Sequence, residues 1–173
     1  MDSVPSALGP LAVVLAQRDD LPIVIEILNE AAAWLNARGI AQWPHPLGER
    51  VRQITARGIE QSQVYLACAS QDGRAIATLR LEWTDSEYWL DDPDVAVYIH
   101  SLAIRSQVHG QQAGAALLEW ARQRARAAGR PFLRLDCAGE NAALCAYYER
   151  LGFVCRGQVV ERDYVAALYE MAV

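Results

Sequence analysis

Lysine is missing altogether from this 173-residue chain, whose 16 basic side chains are all arginines scattered along its length. Against 21 acidic side chains they leave a net charge of −5, so no clustered cationic surface is available to neutralise phosphates, and a nucleic-acid partner is disfavoured. Missing too is any window approaching the roughly 18 consecutive apolar residues that span a bilayer, and the N-terminus has no basic region followed by an apolar run. No membrane partner is expected, and the reading is a soluble cytoplasmic protein. Cysteine is sparse. Cys68, Cys137, Cys145 and Cys155 form no C-x-x-C pair and have no histidine at ligand spacing, so no metal site is expected and buried reduced thiols are the plain reading. Internal repeats and low-complexity tracts are also lacking.

What is present is a chain 53% apolar, long enough for one core and too short for two ordinary domains. Residues 1–10, punctuated by Pro, Gly and Ser, read as a flexible N-terminus, and 11–173 as a single domain. Leu11 to Ala16 is a β-prone run. Asp19 or Asp20 can then cap a helix with Pro22 in its first turn, in which Val24, Ile27, Leu28, Ala31, Trp34 and Leu35 fall at helical spacing until Gly39. Residues 47 to about 60 read as a second helix. Strands Val64–Ser70 and Ala75–Thr84 flank a Gln71-Asp72-Gly73-Arg74 turn suited to a hairpin, and a further strand runs from Val95 to Arg105 after an acidic, aromatic loop over 85–94. A helix from about Gln112 to Ala128, a strand Phe132–Cys137, a helix capped by Asn141 and closed by Gly152, and strands Phe153–Val160 and Tyr164–Ala172 complete the chain. The crossover between 95 and 137 demands a parallel pair, and the tight turns elsewhere demand antiparallel ones. The expectation is a mixed α/β fold with a mostly antiparallel central sheet of about seven strands and four helices.

Two stretches carry chemistry. From Val95 to Leu118 the chain runs strand, Ser106-Gln-Val-His-Gly-Gln-Gln-Ala-Gly114, helix. A helix start presents unpaired N–H groups and partial positive charge, and Gly110 and Gly114 let a phosphate approach the main chain. An ordinary strand-to-helix turn with two glycines would read the same. The second stretch is Asn141-Ala-Ala-Leu-Cys-Ala-Tyr-Tyr-Glu-Arg-Leu-Gly-Phe153. Paired with the upstream glycine loop, it resembles the GNAT superfamily of N-acetyltransferases, and the element order from residue 11 to 173 agrees with that fold.

The resemblance implies an acetyl-CoA-dependent N-acetyltransferase whose sheet is splayed between its fourth and fifth strands by a bulge. The pantetheine arm of acetyl-CoA would lie in that gap, bonded to the main chain of Leu102, Ala103 and Ile104. The diphosphate would rest on amides from His109, Gly110, Gln111, Gln112, Ala113, Gly114 and Ala115. Aligning on Gly114-Ala-Ala-Leu-Leu puts His109 where the family has Arg or Gln, and Gln112 where it has a first glycine. Asn141 would cap its helix and reach the pantetheine arm. Tyr148 matches the tyrosine that protonates the departing thiolate, whereas Tyr147 reads as core.

Attack by an amine on a thioester also needs a base and an oxyanion donor. A backbone N–H near Leu102 would serve the oxyanion. His100 stands near the family's usual glutamate, and an imidazole is the side chain type suited to proton transfer near neutral pH, though it equally fits a residue filling the sheet face; Glu82 is the reserve base. Trp43, Trp83, Asp85, Tyr88 and Trp89 would line an acceptor pocket, with Glu87, Asp91, Asp92 and Asp94 adding negative charge that favours a cationic amine. The expected partner is a small-molecule or peptide amine, and a homodimer is compatible with the sequence. A rival reading is a catalytically inactive CoA-binding or interaction module on the same fold.

Overall fold

The computed structural model describes residues 2–90, 95–161 and 164–173. The strands are β1 (Asp2–Val4), β2 (Leu11–Leu15), β3 (Val64–Ala69), β4 (Ala75–Glu82), β5 (Ala96–Ile104), β6 (Phe132–Ala138), β7 (Val154–Glu161) and β8 (Tyr164–Ala172). The helices are α1 (Leu21–Asn36), α2 (Glu49–Glu60), α3 (Ala113–Ala127) and α4 (Ala142–Arg150). Hydrogen-bonded in the order β1-β2-β3-β4-β5-β6-β8-β7, the strands make a mixed, mostly antiparallel sheet in which β5 and β6 are the parallel neighbours.

Among the described residues eight strands stand where about seven were expected, and β1 is the addition. Asp2–Val4 pairs antiparallel with Leu11–Val13. The Pro, Gly and Ser residues that read as looseness build the turn instead: the Ser6 hydroxyl accepts from the Leu8 N–H at 3.1 Å and donates to the Gly9 carbonyl at 2.7 Å, while Gly9 adopts φ +87°. The hairpin between β3 and β4 closes at Gly73, whose φ of +71° suits the turn predicted there.

Chain contacts divide the molecule into two compact units, residues 1–80 with 101–118 and residues 81–100 with 119–173. In the first, Val24, Ile27 and Leu28 on one stripe of α1 are buried with Ile59, Val64 and Leu66, as the helical spacing requires. Helix α1 is entered through a 3₁₀ turn, Arg18–Asp20, in which Asp20 Oδ2 accepts from the Gln17 N–H at 2.8 Å. In the second unit, Tyr98, Trp89, Ala96, Ala166 and Leu168 form a core flanked by Tyr88, Phe132 and Tyr164.

The feature that matters most for function is the length of the β5–β6 ladder. Its register runs from Ala96 opposite Phe132 to Ile99 opposite Leu135 and goes no further among the described residues. Beyond it β6 remains paired to β8 through Ala138, while β5 continues to Ile104 after a left-handed residue, Ser101, at φ +52°. A non-glycine residue at positive φ is strained, and inside a strand it redirects the chain. The pairing between the strands expected as fourth and fifth thus ends at Ile99 and Leu135.

Candidate active site

The glycine loop belongs to the first unit and is held from beneath. Arg105, only 5% exposed, donates from Nε to the Ala75 carbonyl at 2.9 Å and from Nη1 to Glu26 and Glu30 at 2.8 and 3.0 Å. Glu30 Oε1 in turn accepts from both the amide and the hydroxyl of Ser106 at 2.7 Å. Burial works against the ionised Glu30, but bonds from Ser106 and then Arg105 hold its carboxyl below the usual range. The 3₁₀ turn Ser106–Val108 is thereby tied to α1.

His109 does not extend a side chain toward a ligand. Its Nε2 lies 3.0 Å from the Ile104 carbonyl, and its ring packs edge-on against Trp34 with centroids 4.9 Å apart. Its amide bonds to the Ser106 carbonyl and that of Gln111 to the Val108 carbonyl, so those two N–H groups are committed to the turn. The expectation that every amide from His109 to Ala115 serves a diphosphate therefore narrows to the rest of the loop and the first turn of α3. Gln112, aligned with the family's first glycine, adopts φ +60°, a glycine-like conformation kept without glycine. Gly110 has φ +77°, and a Cβ built on it would meet nothing within 4 Å, so space over the loop is open to an anion.

The second unit holds the ionisable cluster. Because Ile99 and Leu135 form the last rung of the parallel ladder, His100 and Asp136 follow it on adjacent strands. His100 Nδ1 lies 3.9 Å from Asp136 Oδ1, while Nε2 lies 3.5 Å from Glu82 Oε2 and 3.8 Å from Asp85 Oδ2. Asp85 is fixed by its own loop, its Oδ1 accepting from the amides of Glu87 and Tyr88 at 3.0 and 3.2 Å. Burial first, then the charges of Asp85, Glu87 and Glu161, push the Asp136 carboxyl up to about 6. Sequence reasoning missed Asp136. An isolated acid in the apolar run Phe132-Leu-Arg-Leu-Asp-Cys-Ala138 reads as a solvent-facing position, and only the parallel register with β5 signals its neighbour.

On α4, Asn141 caps the helix as expected, its Oδ1 accepting from the Leu144 N–H at 3.2 Å. Tyr148 is 7% exposed, with Phe153 and Tyr169 rings at 5.7 and 5.9 Å, and Tyr147 beside it is the more exposed of the pair. Burial, then the neighbouring Cys137, Tyr147 and Asp136, raises the Tyr148 phenol well above its ordinary range, so it holds its proton at neutral pH. Cys137 and Cys145 are free thiols with sulfurs 3.9 Å apart, whereas Cys155 is exposed on β7 rather than buried.

Of the residues expected to line an acceptor pocket, Asp85, Tyr88 and Trp83 stay near the surface or the cluster. Tyr88, whose hydroxyl donates to Glu161 at 3.4 Å, is pushed up to about 12, chiefly by burial and then by Asp136 and Glu161. Trp83 is 39% exposed. Trp89 is a correction: it is 9% exposed, with the Arg134 guanidinium 4.1 Å above its ring, and Arg134 is itself bound to Glu170 at 2.7 Å. A buried arginine supplies the stacking partner, so the indole belongs to the core. Trp43 likewise packs against the core of the first unit. Asp91, Asp92 and Asp94 lie outside the described residues.

Fold and site together define an acetyltransferase. Residues 27–153 match the model of the acetyltransferase (GNAT) family, and the chain belongs to that family, whose members carry out acetyl-CoA-dependent acyl transfer. The uncharacterized N-acetyltransferase YesJ of Bacillus subtilis (strain 168) is 31% identical over 144 residues, covering 80% of this chain and 79% of that one. A GNAT-family acetyltransferase of Listeria monocytogenes 4b F2365 superposes with a TM-score of 0.81 at 21% identity over 99% of this chain and 100% of that one. The acetyltransferase yncA of Salmonella typhimurium, whose structure contains acetyl-CoA, gives 0.69 at 18% identity over 94% and 93%.

Proposed function

We propose that the protein transfers the acetyl group of acetyl-CoA directly to a primary amine of a small molecule or peptide, in a ternary complex, with residues 11–173 and the β1 strand that pairs with them acting as a single cytoplasmic domain. The observation that supports this most is the histidine flanked by carboxylates at the point where the parallel ladder ends, in a chain of this family.

Each group has a task. Amides of Gly110, Gln112, Ala113, Gly114 and Ala115 hold the diphosphate, with His109 and Gln111 fixing the shape of the turn. The main chain of Leu102, Ala103 and Ile104 and the amide end of Asn141 hold the pantetheine arm. An N–H near Leu102 receives charge on the thioester oxygen as the amine attacks. His100 removes a proton from the acceptor ammonium, with Glu82 as the reserve base, and Tyr148 gives its proton to the departing thiolate. Trp83, Asp85 and Tyr88 recognise the acceptor. The negative charge around His100 favours an amine that arrives as a cation and is neutralised only at the site.

Calorimetry with acetyl-CoA followed by free-thiol release over an amine panel tests the reading. Binding with release on at least one amine supports it. Binding without release on any amine favours the inactive module, and no binding sinks the assignment.

A further inference from the structure

We propose that Asp136 is the group to which His100 delivers the acceptor's proton, so that the base of the reaction is an imidazole and carboxylate acting in series. This rests on the transferase reading above and adds to it a residue drawn from a different strand.

The geometry makes the case. His100 Nε2 is fully buried and faces Glu82 and Asp85, whereas Nδ1 faces Asp136 Oδ1 at 3.9 Å, within reach of a hydrogen bond after a small adjustment of either side chain. Both side chains are 18% exposed, at the end of the paired part of β5 and β6. The two ring nitrogens thus face different partners: Nε2 faces Glu82 and the loop-held Asp85, which draw a cationic amine, and a proton that leaves the ring at Nδ1 meets Asp136. Among the described residues, the groups that act on Asp136 are His100 on β5, Asp85, Glu87 and Tyr88 on the loop after β4, Glu161 on β7, Tyr164 on β8, and Cys137 and Tyr148. Most are acids or buried phenols. Their field and the partial burial resist a second negative charge, which leaves Asp136 able to take up a proton near neutral pH and release it to water.

The sequence balances. The ammonium gives one proton to His100 Nε2, the nitrogen that faces Glu82 and Asp85, and becomes a neutral amine; the ring gives its Nδ1 proton to Asp136, and exchange of the Nε2 proton for one at Nδ1 through water restores the starting tautomer. The amine nitrogen bonds to the acetyl carbon as the carbon–sulfur bond breaks. The thiolate takes the Tyr148 proton, and the second amine proton, lost as the amide forms, restores Tyr148. Asp136 returns its proton to solvent, so one acetyl group is transferred and one proton released per turnover.

The test compares wild type, Asp136→Asn and Asp136→Glu in thiol-release assays from pH 5 to 9, alongside NMR titration of the His100 ring. Asp136→Asn should lower kcat roughly 10- to 100-fold with KM for acetyl-CoA unchanged, and should displace the acidic limb of the kcat profile; Asp136→Glu should restore at least a third of the rate. The His100 midpoint should move by at least about half a pH unit in Asp136→Asn. A merely structural residue would scale the whole profile without moving its limb, and that result overturns the proposal, as does a His100 midpoint that stays in place. A wild-type protein that releases no thiol with any amine overturns the transferase reading itself, and the relay with it; an active wild type with an unaltered Asp136→Asn profile overturns the relay alone.

Discussion

The loop from Arg105 to Gly114 and the cluster around His100 are built on opposite plans. In the loop the groups proposed to work are main-chain amides, and side chains hold the backbone: Glu30 on Ser106, His109 on Ile104, with Gln112 in a left-handed turn. In the cluster the groups proposed to work are the side chains themselves, gathered from β4, its following loop, β5 and β6, and the charge of Asp85 is felt at Asp136. A region of the first kind accepts new side chains wherever φ and ψ survive. A region of the second kind answers to every change of charge.

The sharpest way to test that contrast is at the proposed proton donor. Tyr148→Phe should lower turnover by roughly 10 to 10⁴ while acetyl-CoA binding, measured by calorimetry, stays nearly intact. Full turnover in that variant would leave the thiolate's proton to another group. The loop should respond in the reverse sense to Arg105→Ala, which strips a buried guanidinium from two carboxylates and a carbonyl. A loss of about 3 kcal/mol or more in urea denaturation is expected, together with weaker acetyl-CoA binding. Unchanged binding would mean that the loop keeps its shape without the clamp.

A third measurement isolates the electrostatics of the cluster. The Asp136 carboxyl titrates at about 6 folded against 3.8 in the open chain, so the folded state binds this proton the more tightly. Its contribution to stability is complete below about pH 4 and disappears as pH rises through 6, leaving a cost of about 3 kcal/mol in neutral solution. Asp136→Asn should therefore match wild type near pH 4 and exceed its stability by up to that amount at pH 8. Parallel stability curves for the two proteins would show that Asp136 is not under this strain. The smallest effect belongs to Gln112→Gly, which relieves a left-handed glutamine and should add about 1 kcal/mol with acetyl-CoA affinity kept or improved. Destabilisation there would mean that the Gln112 side chain has a task of its own.

The same contrast explains what could be read from sequence. Helix α1 announced itself through Val24, Ile27 and Leu28, and α4 through Asn141 and Gly152, because period and caps are local properties. The loop's place between strand and helix was legible for the same reason, whereas the positive φ at Gln112, noted in the sequence only as a departure from the family's first glycine, came from the structure. Pairing of Asp136 with His100 was not, since it depends on the register of strands about thirty-five residues apart and on where their ladder stops. Trp89 was misplaced on similar grounds. Its acidic surroundings spoke for a surface loop, while the guanidinium that covers it stands on another strand.

Glu30 gives the first unit an unusual mechanical property. Its backbone belongs to the middle of α1, yet its Oε1 ends on Ser106, the first residue of the turn that leads to the glycine loop, and its Oε2 on Arg105. Inserting or deleting a single residue in the first half of that helix swings every later side chain by about 100°. The carboxylate would then leave Ser106 facing nothing, so a change far from any cofactor contact would slacken the cradle as surely as one made within it.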